Sequence, residues 1–84
     1  MPDLQILFRR SARKDLQRLD GVHVRRIFPA IEQLGATPRP PGCKKLKGSE
    51  DLFRIRVGDF RVIYEIRQDV VVIVGVRHRS EAYR

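Results

Sequence analysis

The chain has 84 residues, with 18 Lys+Arg against 10 Asp+Glu and a formal net charge of +8. That length supports a single domain over residues 1–84 and no second core, and Cys43, the only cysteine, excludes an intrachain disulfide and a thiolate zinc cluster. The basic excess is spread through both halves of the chain, which points to polyanionic partners, nucleic acid first and acidic proteins second.

In chain order, Asp3 to Phe8 alternates, with Leu4, Ile6 and Phe8 on one face, and predicts a first strand. Ser11 can cap a short helix to about Leu19, whose apolar stripe is Ala12, Leu16 and Leu19. Asp20 can cap a second helix to Leu34, with Val24, Ile27, Ala30, Ile31 and Leu34 at helical spacing and Gly35 as a C-terminal cap. Pro29 inside that helix removes one backbone bond and predicts a kink or local gap. The short break between the helices makes them an antiparallel hairpin.

Residues 36–42 hold Pro38, Pro40 and Pro41 and read as an irregular loop. Cys43 to Lys47 is a candidate edge strand carrying Lys44, Lys45 and Lys47. Leu52 to Ile66 then reads as two strands joined at Gly58-Asp59, since glycine at the first central position suits a type II′ turn. That turn places Arg56 opposite Arg61. It also separates an apolar face (Phe53, Ile55, Val57, Phe60, Val62, Tyr64, Ile66) from one bearing Arg54, Arg56 and Arg61. Like charges set opposite one another are destabilising, so this gathering suggests an anionic ligand. A merely solvated polar face is the plain alternative.

Val70 to Val76 is the most apolar run and predicts a buried central strand, followed by Arg77, His78 and Arg79. A two-residue turn at Gln68-Asp69 would by itself put Arg77 on the core face. A three-residue turn, or a bulge near Gly75, would bring it to Arg61's side. Burying an unpaired arginine is costly, so one of the latter two is expected. The expected fold is α+β, in the order β-α-α-β-β-β, an antiparallel sheet with the N-terminal helical hairpin on one face.

Converging arginines can grip a phosphate and stabilise charge developing on its oxygens, and a tyrosine such as Tyr83 can stack on a base. Arginine is a poor proton acceptor at neutral pH. His78 and Glu81 are candidates for that task, each with a plain reading as a rim histidine and an ion-paired carboxylate. No metal or other cofactor is expected. No apolar run reaches the roughly 18 residues of a membrane span, and no segment reads as a signal peptide, so a cytoplasmic protein is expected.

KKLKG at residues 44–48, LFRIRVGDFRVIYEI at 52–66 and RHRSEAY at 77–83 together resemble the RelE/ParE toxin superfamily, its RelE branch above all. The resemblance runs through nearly the whole chain. It implies a metal-independent, ribosome-dependent endoribonuclease that cleaves mRNA in the ribosomal A site. There the ribose 2′-hydroxyl attacks the neighbouring phosphate and leaves a 2′,3′-cyclic phosphate. It also implies a cognate antitoxin as partner in a hetero-oligomer. By the same resemblance, Arg54 and Arg56 match two basic residues of the active face, and Arg61 the phosphate-stabilising arginine. Arg77 matches the donor to the leaving group, and Tyr83 the base-orienting tyrosine. Lys44, Lys45, Lys47, His78 and Arg79 would add RNA contacts. The chain departs from the family at Arg56, where lysine is the proposed general base. A ParE-like DNA gyrase poison and a non-catalytic RNA- or antitoxin-binding module are the alternatives.

Overall fold

The computed structural model describes residues 3–80. Strand β1 (Gln5–Phe8) leads into helices α1 (Arg10–Gln17) and α2 (Gly21–Ala36). Strands β2 (Lys44–Lys45), β3 (Leu52–Val57), β4 (Phe60–Arg67) and β5 (Val70–His78) follow. They form one five-stranded sheet in the order β1-β5-β4-β3-β2. The sheet is mixed: β1 runs parallel to β5, with Gln5 opposite Val70 and Phe8 opposite Ile73, while every other pair is antiparallel. The expected all-antiparallel sheet is thereby corrected. The helical hairpin carries the chain from β1 to β2 at the opposite edge, and three antiparallel reversals then bring β5 back beside β1 in the same direction.

The hairpin register is as the turn chemistry requires. Val57 pairs with Phe60, Ile55 with Val62 and Arg56 with Arg61. Gly58 has φ of 60° while Asp59 stays out of the left-handed region, which is the type II′ arrangement. The apolar face packs under the helices. Phe53, Ile55, Phe60, Val62, Tyr64, Val71, Ile73 and Val76 are buried there against Ala12, Ile27, Ile31 and Leu34. The Tyr64 hydroxyl donates to the Pro38 carbonyl at 2.8 Å and ties the proline loop to this core. Burial pushes its phenol well above the ordinary tyrosine range.

Local details of the helices differ from expectation. Arg9, not Ser11, occupies the α1 N-cap position, and Ser11 lies inside the helix with its hydroxyl turned to β5. Asp20 holds the α2 N-cap position but makes no capping bond. Helix α2 runs unbroken through Pro29. Both Pro29 and Arg25 are exposed, so water can satisfy the freed carbonyl. Gly35 is helical, not a cap: its carbonyl accepts from the Leu4 amide at 2.8 Å, and an added Cβ would meet the Leu4 carbonyl oxygen at 2.9 Å. A glycine is required there because strand β1 leans on the helix backbone.

Candidate nucleic-acid interface

The sheet face away from the helices carries the arginines. The β4–β5 turn is the two-residue one at Gln68-Asp69, with Arg67 opposite Val70. The register then shifts: Tyr64 pairs with Ile73 but Ile63 pairs with Gly75, so Val74 is the extra residue of a bulge. Beyond it Arg77 stands opposite Arg61, and Arg61 stands opposite Arg56. Three arginines from three adjacent strands therefore form one row across the sheet. One step along, Lys44 pairs with Arg54, which in turn stands opposite Ile63.

Arg56 and Arg77, at the ends of the row, are exposed. Its centre is not: Arg61 is 4% exposed, and the neighbouring Arg54 is 6% exposed. Arg61 Nη1 donates weakly to the Phe60 carbonyl at 3.3 Å. Its Nε, like Nη1 of Arg54, is buried with no hydrogen-bond partner among the described residues. A buried donor left unmade costs about 1–3 kcal/mol, and more on a charged group. Two such donors on one face, flanked by further like charges, form a site that an anion would complete.

Arg77 reaches sideways to α1, where its Nη1 lies 2.7 Å from Asp15 Oδ2. Glu65, also on this face, accepts from Arg9 Nε at 3.2 Å and from Arg67 Nη2 at 3.0 Å. The Arg9 bond first, with Arg67 adding to it, holds the Glu65 carboxyl below its ordinary value despite burial. Glu65 is thus an ion-paired strut between the start of α1 and β4.

The remaining candidate residues separate. Lys44 shares the row of Arg54, whereas Lys45 pairs with Phe53 and Lys47 is exposed in the following turn. Arg79 is exposed, and its amide donates to the Asp59 carbonyl at 2.7 Å, which fixes it beside the hairpin turn. His78 does not join the arginines. It pairs with Phe60 and meets that ring edge-on at 5.5 Å on the helix side, with Nδ1 3.0 Å from Ser80 Oγ. Alternation after Arg77 sends it there, away from the arginine face. Tyr83 and Glu81 lie outside the described residues. Asp15 was missed from the sequence. Its signal was being the one acid in RSARKDLQ, a helix otherwise polar and basic outside its apolar stripe.

A family model described as the ParE toxin of type II toxin–antitoxin systems matches residues 6–83. The chain belongs to the RelE/ParE family of type II toxins. Toxin RelE3 of Methanocaldococcus jannaschii is 31% identical over 84 residues, covering 95% of this chain and 96% of that one. The archaeal RelE–RelB complex from Pyrococcus horikoshii superposes with a TM-score of 0.81 at 31% identity, covering 95% of this chain and 99% of that one. The RelB–RelE antitoxin–toxin complex from Methanococcus jannaschii gives 0.76 at 31% identity, over 92% and 94%. This RelE-like toxin thus has the two helices and five-stranded mixed sheet of its relatives. No helix of its described residues is long and apolar enough to cross a membrane.

Proposed function

We propose that this toxin is a ribosome-dependent endoribonuclease that cleaves mRNA in the ribosomal A site without a metal. The observation that carries the reading is the Arg56–Arg61–Arg77 row, with Arg61 buried and its Nε unpartnered. In the proposed reaction the ribose 2′-oxygen bonds to phosphorus and the phosphorus–5′-oxygen bond breaks. The 2′-hydroxyl loses its proton, the 5′-oxygen gains one, and a 2′,3′-cyclic phosphate remains. Charge builds on the non-bridging oxygens, and preorganised guanidinium donors aimed there lower the barrier. In this reading Arg61, at the centre, holds the phosphate; Arg54 and Arg56 flank it; Arg77 donates to the leaving oxygen. The row offers donors and charge but no proton acceptor. Tyr83 would orient the base, and Lys44, Lys45, Lys47 and Arg79 would hold the flanking RNA and ribosomal RNA.

The RelE relatives from Methanococcus jannaschii and Pyrococcus horikoshii were solved in complexes with RelB antitoxins. By that analogy the partner of this toxin is a cognate antitoxin in a hetero-oligomer, and a ribosomal target places it in the cytoplasm. The test is primer extension on mRNA translated in a purified system. Wild type should cut within the A-site codon only when ribosomes are present, and Arg61→Ala should not cut. The description of the matching family favours a second reading, a ParE-like gyrase poison. Intact mRNA with toxin-dependent DNA damage would support it. Neither effect would leave a non-catalytic binding module.

A further inference from the structure

We infer that Asp15 is the positioning residue for Arg77, an inference that rests on the cleavage reading above. Strand β1 accompanies β5 only as far as Ile73, whose carbonyl takes the Arg9 amide at 2.9 Å. There the chain turns into α1, and β5 continues with no strand on that side. The backbone of the bulge would be left unpaired, at a cost for every buried group. Helix α1 supplies the partners from side chains one turn apart. Ser11 Oγ donates to the Val74 carbonyl at 2.6 Å, and Asp15 Oδ2 accepts the Val76 amide at 2.9 Å. The same Oδ2 accepts Arg77 Nη1 at 2.7 Å.

One carboxylate oxygen thus fixes both the backbone that turns Arg77 to Arg61's face and the guanidinium itself. The Asp15 side chain is only 12% exposed and the Arg77 side chain 43%, so the carboxylate is shielded while the guanidinium stays open to a ligand. It commits one nitrogen of the guanidinium. The remaining donors of a planar fork are then held in a single orientation, as bidentate capture of a phosphate requires. Its charge also offsets one of three like charges drawn into a row. Gly75 leaves the space: a Cβ there would lie 3.1 Å from Asp15 Oδ2 and 3.8 Å from Arg77 Cζ.

The test is a double-mutant cycle of Asp15→Asn and Arg77→Ala in the full chain, read by single-turnover cleavage of mRNA on the ribosome. Asn keeps an oxygen for the Val76 amide, so the bulge survives while the charge is lost. Asp15→Asn should slow cleavage roughly tenfold or more with ribosome affinity little changed, and should add almost nothing once Arg77 is gone. A wild-type rate in Asp15→Asn, or a loss that persists undiminished in the Arg77→Ala background, would overturn the inference. A second arm does not depend on cleavage. The Arg77 Nε–H resonance is followed by NMR during titration with inorganic phosphate. It should respond to phosphate in wild type and lose most of that response in Asp15→Asn. If wild type cleaves nothing, the cleavage reading fails and this arm decides alone. An Arg77 signal unchanged in position and phosphate response by Asp15→Asn would then refute the positioning role.

Discussion

Arg77 stands directly opposite Arg61, although the turn that joins their strands would, taken alone, have set it opposite Phe60. The single extra residue Val74 makes the difference, since one residue of slip exchanges the two faces of a strand. The bulge is therefore the device that assembles the arginine row.

Deleting Val74 should turn the strand end over, sending Arg77 toward the core and His78 out. Thermal melting should show a loss of about 1–3 kcal/mol, the usual scale for burying an ill-partnered charge or breaking packing. Gly75→Ala should be milder in stability. It should still depress cleavage, because its Cβ displaces the Asp15–Arg77 pair. A variant lacking Val74 that melts and cleaves as wild type would show that the bulge is incidental.

Arg61 is buried and incompletely bonded between two like charges, so its removal should not harm the fold. Replacing a buried charge with an apolar side chain of similar length is often neutral or stabilising by about 1–4 kcal/mol. Arg61→Met should hold or raise the melting temperature while abolishing cleavage in the primer-extension assay. A lowered melting temperature would mean that the guanidinium serves stability instead.

Glu65 gives the fold a pH dependence of known sign. Its folded-state pKa lies below the ordinary 4.5, chiefly through Arg9. The unfolded chain therefore takes up protons first as pH falls. The contribution of Glu65 is complete above about pH 4.5 and is lost as pH drops through the lower, folded value. Melts of wild type and Glu65→Gln should differ by a constant amount from neutral pH down to about 5 and converge as the pH falls on through the folded value. A gap that widens in acid would contradict the ion-pair assignment.

Tyr64→Phe should cost about 1 kcal/mol, since it removes a hydroxyl and strands the Pro38 carbonyl it serves. Cleavage by the variant, measured below its melting transition, should match wild type, because Tyr64 lies in the core and not on the arginine face. A cleavage defect without a change in stability would place this tyrosine in the active machinery.

How much of this was legible in the sequence depends on how local the physics is. The Gly58-Asp59 turn determines its own register, so Arg56 opposite Arg61 could be read off residue by residue. Helical spacing located α1 and α2 for the same reason. The parallel seating of β1 beside β5 could not be read this way, because alternation says which side chains share a face but not which strand comes next. The facing of Arg77 could be narrowed to a three-residue turn or a bulge, and the bulge occurs. What decided between them lies on α1: Ser11 and Asp15 stabilise the bulged backbone from more than fifty residues away. From sequence Ser11 reads as a cap, its commonest local role, and tertiary contact overrides it. Gly35 differs from its local reading in the same way, as its bareness serves a strand that packs on it and not a helix end.

The place of β5 between β1 and β4 has a consequence in time. The first strand made has no neighbour in the sheet until the last one emerges, and Arg77 is near the very end of that last strand. Sheet closure that waits on such distant pairing is slow, and it cannot precede synthesis of β5. A nascent chain therefore carries Arg56 and Arg61 without the third member of their row. On the cleavage reading, a chain still lacking β5 on the ribosome has no complete site with which to attack it.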